Sequence, residues 1–394
     1  MPGAGWWRSG RRCMTAAPAI DLARARLRAN PRYVLHTGAD FPGGKFSGIE
    51  PFAREADFFG VLLPANDTDL RVKAISDGDA LLFLTLQQAA CVPAYFWRNH
   101  ERFEQHLWQL VLDRVLELEV AGEFRSGPEL SASIVPDRRS DDDSISNRAL
   151  RYAATLPIDH EGELAGRLYF YNRIPAFIGH AGLPVDRPST KHFLGIGQGT
   201  WLPADSSFLE IPPSDDNTSW LSWGAGGRRR EIDSPFKLYL CVYPDELPAV
   251  FRDCLTTCAE QGAFMVKVGA DRYALRRPDK FVAYFNTRKS LDAAARQLGP
   301  LFAQRQPHAL PFAGTMECPL LAWGCDPPKD HVRLGWSGQT DSWRTWVVHR
   351  LAAALAMAKR EGCSVTEAAQ FSRERVGLEG VDVETWAPQN IQFR

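Results

Sequence analysis

Three short segments between Pro235 and Phe285 alternate apolar and polar positions with a period of two. In PFKLYLCVYP, Phe236, Leu238, Leu240 and Val242 alternate with Lys237, Tyr239 and Tyr243. In AFMVKVG, Phe264, Val266 and Val268 alternate with Met265 and Lys267. In RRPDKFVAYF, Arg276, Arg277 and Lys280 stand before the apolar run. This period predicts strands over 236–243, 263–268 and 280–286, because successive side chains on a strand point to opposite faces. Lys237 and Tyr239 then share one face, and Lys267 can look the same way from a neighbouring strand. Helical spacing predicts helices over 247–261 and 290–303. A further helix runs from Ser342 to about Glu361, with Ser342 as its cap and Trp346, Val347, Leu351 and Leu355 as its apolar stripe. A short helix near 366–375 and an extended tail, GVDVETWAP, follow.

Upstream, the apolar runs FFGVLLP and ALLFLTL are short. Phe103, Leu107, Leu110, Val111, Val115 and Leu118 recur at helical spacing and predict a helix over roughly 102–120. The segments NRALRYAATL and GELAGRLYFY read as helices leading to the loop YNRIPAF. Residues 174–234 are rich in Gly and Pro and show little periodicity. The fold class expected is α+β: a C-terminal domain over 148–394 with an antiparallel or mixed sheet flanked by helices, and an N-terminal α+β domain over 31–125. Residues 1–30 form a flexible tail in this reading. Residues 126–147, dense in Ser, Asp and Arg, form a polar linker or loop. No internal repeat at a fixed period occurs.

Composition narrows the function classes. The chain has 394 residues, 45% of them hydrophobic and 24% charged, with a formal net charge of -1. That balance argues against a generally basic nucleic-acid binder, and no apolar run reaches the roughly 18 residues of a membrane span. The first fourteen residues are basic and lack the apolar region of a signal peptide. The eight Cys show no CxxC spacing, which fits reduced, packed thiols in a cytoplasmic protein. The spacing of His and carboxylates matches no metal motif, and neither a metal nor an organic cofactor is expected.

Several motifs have plain readings. LGIGQGTW, with Gly195, Gly197 and Gly199, lacks the strand-before, helix-after context of a phosphate loop and reads as a turn. His192, His308 and His349 stand alone and read as surface or packing residues. Asp215 and Asp216 belong to a polar loop, and Arg228, Arg229 and Arg230 to a Gly-rich one. No GxSxG occurs, and no Cys lies beside a base.

The lysine strands differ, because a sheet face carrying several cations is destabilised unless an anion sits among them. Lys267, between Val266 and Val268, has three options. It can form a salt bridge, reach to an edge, or work as a neutral amine, a state that crowding by Lys237, Arg276, Arg277 and Lys280 would favour.

The order of these motifs resembles a family. An FKLYL strand, a helix, a lysine in FMVKV, arginines before PDKFVAY and a PF turn are followed by the WGCDPP turn and the SWR helix. Over roughly residues 165–360 this order resembles the Hop-type plant-pathogen effectors and the lyase-like proteins of class V lanthipeptide and thioamitide gene clusters. Those proteins are distantly similar to the type III phosphothreonine lyases. The resemblance implies a phosphothreonine-lyase-like domain that eliminates phosphate from phosphoserine or phosphothreonine in a ribosomally made precursor peptide, leaving a dehydroamino acid. It implies a kinase-like partner and, by matched position, Lys267 as the base. Lys237, Arg277 or Arg276, and more distantly Arg344, match phosphate ligands. Lys280 is counted among the binding cations. Tyr239 stands where the lyases carry a histidine acid, and Met265 where they carry a further lysine. Two other functions keep the fold: a non-catalytic scaffold that binds a phosphopeptide or leader peptide, and an effector-like protein.

Overall fold

The computed structural model describes residues 20–42, 44, 58–66, 70–100, 102–131, 143–175, 182–196, 208–212, 219–225, 236–302, 304–327 and 342–389. The chain divides into two compact units, residues 1–45 with 50–141 and residues 46–49 with 142–394. Both are α+β.

The first unit holds two antiparallel sheets. One has the order β5 (Ala90–Cys91), β1 (Arg26–Ala29), β6 (Leu116–Val120), β7 (Glu123–Arg125). The other joins β2 (Tyr33–His36), β3 (Gly60–Pro64) and β4 (Lys73–Ile75). Strand β1 lies in the stretch read as a tail, and cross-strand pairs Arg26–Glu119 and Arg28–Glu117 hold it to β6. Helices α1 (Asp77–Thr85), α2 (Ala94–Asn99) and α3 (Phe103–Leu112) complete the unit.

The helix expected over 102–120 stops at Leu112. Arg114 takes a left-handed backbone at φ 63, which a helix cannot continue through. Beyond it, buried Leu116 and Leu118 alternate with Glu117 and Glu119, so the chain runs as β6. Leu118 satisfied both periods, and the buried alternation with Leu116 decided.

The second unit is built on a seven-stranded sheet with every neighbouring pair antiparallel. Its order is β13 (Gly314–Thr315), β14 (Leu321–Gly324), β10 (Phe236–Leu240), β12 (Phe281–Phe285), β11 (Ala263–Gly269), β9 (Trp220–Ala225), β8 (Phe208–Ile211). Helices α4 (Ile145–Thr155), α5 (Glu161–Tyr169) and α6 (Arg187–Phe193) precede the sheet. Helix α7 (Leu247–Glu260), the short α8 (Arg272–Leu275) and α9 (Arg288–Leu298) lie between its strands in sequence. Helices α10 (Trp343–Arg360) and α11 (Val365–Gly377) end the unit, and α10 packs on α5 and α11. The segment expected to lack periodicity contributes α6, β8 and β9. Its helix is set by a capping box, in which the Asp186 carboxylate accepts from the Ser189 amide and the Ser189 hydroxyl from Asp186.

One sheet face carries the main core. Leu238, Leu240, Val266, Val268, Phe281, Ala283 and Phe285 pack there with Phe251, Leu255, Leu291 and Leu298 of α7 and α9. Ser342 caps α10 as expected, its hydroxyl accepting from the Thr345 amide. The tail GVDVETWAP is closed rather than extended. Val381 bridges Pro388, and the buried Trp386 turns at φ 58. Among the described residues, no helix is long and apolar enough to cross a membrane.

Candidate functional site

The other face of the sheet bears the polar positions. Strand register sets Gly324, Lys237, Tyr284, Met265 and Gly224 in one row. Ala322, Tyr239, Val282, Lys267 and Ser222 form the next. Lys237, Tyr239 and Lys267 therefore share a face, with β12 between the two lysine strands. Phe264 departs from the alternation. A bulge between Ala263 and Met265 inserts one residue into β11, so Phe264 joins the polar face and tilts against Tyr284 at 6.1 Å between ring centroids. Ala263 takes the core position instead.

Tyr284 is the hub of this face. The Lys237 ammonium lies 5.6 Å and the Lys267 ammonium 5.2 Å from its ring centroid. Lys267 also sits 4.6 Å from the Trp220 ring, and the Arg277 guanidinium 5.4 Å from that same ring. Three cations from three segments thus converge on two aromatic faces. Tyr239 is buried, and burial pushes its phenol well above the ordinary value, so it stays protonated.

Beside the lysines, Asp279 organises the arginines. Arg277 donates through Nε to one Asp279 oxygen at 2.8 Å and through Nη2 to the other at 2.9 Å. Its Nη2 also donates to the Tyr169 hydroxyl at 2.8 Å. Arg344 donates to Asp279 at 2.8 Å, to the Pro311 carbonyl at 2.9 Å and to the Tyr169 carbonyl at 2.9 Å. Burial opposes the charge on Asp279, but Arg277 and then Arg344 outweigh it and hold the carboxyl below its usual range. The α8 turn that presents Arg276 and Arg277 lies close on β11. A Cβ on Gly269 would lie 2.8 Å from the Ala274 carbonyl carbon, so only glycine fits.

The structure separates the cations grouped by sequence. Lys267 and Arg277 flank the aromatic hub. Lys237 lies there too, but pairs with Asp326. Arg344 is 2% exposed, and its nitrogens Nε, Nη1 and Nη2 are engaged by Pro311, Asp279 and Tyr169. Arg276 is buried in the α8 turn, its Nε without a hydrogen-bond partner among the described residues. Lys280 is fully buried, donating to the Val242 carbonyl and meeting His308 Nδ1 at 3.1 Å. His308 Nε2 lies 2.6 Å from the Asn172 carbonyl, which assigns its proton to Nε2 and leaves Nδ1 to accept from Lys280. Lys280 is thus a strut that ties the start of β12 to the Val242 carbonyl and, through His308, to the Asn172 turn.

Burial pulls the Lys280 ammonium down to about 8, against smaller opposing effects of Cys241, Asp279 and Asp245. The unfolded chain therefore holds more protons between this value and the ordinary lysine value, and stability rises with pH across that window. Relative to Lys280→Met, the wild type is expected to gain about 3 kcal/mol between pH 7 and pH 11. Urea unfolding of both proteins at the two pH values checks this; parallel profiles would refute it.

Sequence reasoning passed over Tyr284, Asp279, Trp220, Tyr169, Asp326 and His308 as site residues. Tyr284 and Asp279 lay in the quoted PDKFVAY segment, where alternation with Val282 was the available signal. Trp220 and Tyr169 come from distant segments, and no local pattern connects them to the lysines. His308, read as a surface or packing residue, is buried at 1% exposure. His192 is exposed on α6. Cys254 and Cys258 are buried free thiols. Gly195 turns at φ 74 after α6, as a turn residue would. Gly197, Gly199, Asp215, Asp216, Arg228, Arg229 and Arg230 lie outside the described residues.

No protein-family model matches the chain, and no curated protein does. Among solved structures, an effector protein from Pseudomonas syringae pv. tomato strain DC3000 is similar at TM-score 0.41 and 13% identity, over 62% of this chain and 97% of that one. An effector from Pseudomonas syringae pv. syringae strain 61 is similar at TM-score 0.37 and 12% identity, over 62% and 97%. The type III effector and phosphothreonine lyase OspF from Shigella flexneri is similar at TM-score 0.25 and 10% identity, over 42% of this chain and 90% of that one.

Proposed function

We propose that the polar sheet face binds a phosphorylated serine or threonine side chain and eliminates its phosphate. The observation that carries this is the convergence of Lys237, Lys267 and Arg277 on the rings of Tyr284 and Trp220. A phosphate dianion set among these groups would gain charge-assisted hydrogen bonds, while the aromatic walls exclude water. In the reaction, the neutral Lys267 amine takes the Cα proton. The C–H electron pair becomes the Cα–Cβ double bond, the Cβ–O bond breaks, and phosphate departs with that bond's electrons. Tyr239 donates a proton to the leaving group, a role its protonated state allows. Arg277 and Lys237 neutralise the developing charge.

The substrate in this reading is a ribosomally made precursor peptide, phosphorylated beforehand by a kinase-like partner in the cytoplasm. That finer identity rests on the motif-order resemblance. A binding-only scaffold is the second reading. It is favoured by the pairing of Lys237 with Asp326 and by Tyr239 at the acid position, since both weaken a catalytic cage.

One assay separates them. Incubation with phosphoserine and phosphothreonine peptides, followed by mass spectrometry, is expected to show loss of one phosphoric acid per modified residue. Binding of the peptides without that loss, with and without a kinase partner, leaves the scaffold and refutes the lyase.

A further inference from the structure

A second group of arginines lies beside this face and is not used by the elimination. The segment after α5 is laced to the α8 turn. Arg173 Nη2 donates to the Tyr273 carbonyl at 2.7 Å, and the Ile174 amide donates to the Arg276 carbonyl at 3.2 Å. Asn172, at φ 64, makes the bend, and the Lys280–His308 strut holds its carbonyl. The lacing seats Arg173 against the turn that carries Arg276 and Arg277. Burial and then these two like charges pull the Arg173 guanidinium down from its usual value.

The carboxylates acting on Arg173 are already committed. Asp279 is held by Arg277 and Arg344, and Asp271 caps α8 by accepting from the Tyr273 and Ala274 amides. Arg276 is 5% exposed, and its buried Nε meets no acceptor among the described residues. A buried guanidinium donor without an acceptor, next to like charges, is destabilising unless a ligand supplies the anion.

We infer that Arg173 and Arg276 form a second anion subsite, which takes the carboxylate of an acidic residue close to the phosphorylated one in a peptide substrate. The subsite deepens the proposed function and rests on it for the peptide's phosphorylated residue. It makes the protein selective for acidic sequence context. Arg173 reaches it from the loop and Arg276 from the buried turn.

The test is binding, so that it stands apart from catalysis. Fluorescence anisotropy on the full chain compares two labelled, unphosphorylated peptides, one with glutamates around a central serine and one with glutamines in their place. Inorganic phosphate binding to the sheet face is measured separately by calorimetry. The wild type is expected to prefer the glutamate peptide about tenfold, as a charge-assisted hydrogen bond or two would give. Arg173→Gln is expected to lose most of that preference and still bind phosphate. A wild type without the preference, or an Arg173→Gln that keeps it, overturns the subsite. Failure of the wild type to bind phosphate, with the glutamate preference intact, overturns the elimination reading instead and leaves the subsite standing.

Discussion

Lys267→Ala is expected to slow phosphate elimination about 10²–10⁴-fold, the usual effect of removing a central base or cation. Phosphopeptide binding should survive, because Lys237 reaches Tyr284 from another strand and Arg277 reaches Trp220 from a turn. The fold should survive as well. Val266 and Val268, which flank Lys267, face the opposite core and remain in place. A second variant separates base from charge. Lys267→Arg keeps a cation over Trp220 and Tyr284 but cannot lose its proton near neutrality. If Lys267 only offsets phosphate charge, arginine restores most of the rate; if it takes the Cα proton, arginine is as slow as alanine. Single-turnover kinetics with a phosphoserine peptide read both variants. An unchanged rate in Lys267→Ala removes Lys267 from the chemistry.

The part of this site that was legible in the sequence is the part carried by local alternation. Lys237 and Tyr239 lie two residues apart on one strand, so a period of two puts them on one face whatever the strand's neighbours are. Lys267 shares that face because the sheet is antiparallel and in register across β12, which the sequence implies without fixing the strand order. The bulge at Phe264 was hidden, since Phe264, Val266 and Val268 alternate perfectly as letters. The bulge sets Phe264 against Tyr284, a backbone change that the pattern alone does not signal. Charge was the least legible feature. Arg276, Arg277, Lys280 and Arg344 look equivalent in a sequence. Their uses diverge through contacts with Asp279, Val242, His308 and Tyr169, which lie on other elements or in turns. A cation next to an apolar run announces that it needs a partner; it does not announce whether that partner is a ligand or the protein's own carboxylate.

Asp279→Ala is expected to destabilise the second unit by about 3–5 kcal/mol, because it leaves buried Arg344 and half-buried Arg277 without their counterion. Arg344 is the severe case, being 2% exposed and tied to Tyr169 and Pro311, so it cannot turn to water without breaking both contacts. Asp279→Asn keeps one acceptor oxygen and should recover part of the loss. The pH dependence has a definite sign. The Asp279 carboxyl is held below its unfolded value, so its stabilisation is complete above about pH 4 and fades only as pH falls further. The gap between wild type and Asp279→Ala should therefore be as wide at pH 5 as at pH 7, and should narrow below pH 4. Urea unfolding of the full chain, followed by tryptophan fluorescence, measures it. A gap under about 1 kcal/mol, the scale of an exposed ion pair, would mean that the arginines find water or another acceptor. Asp279 would then not be the group that holds Arg277 against Tyr169 and Trp220.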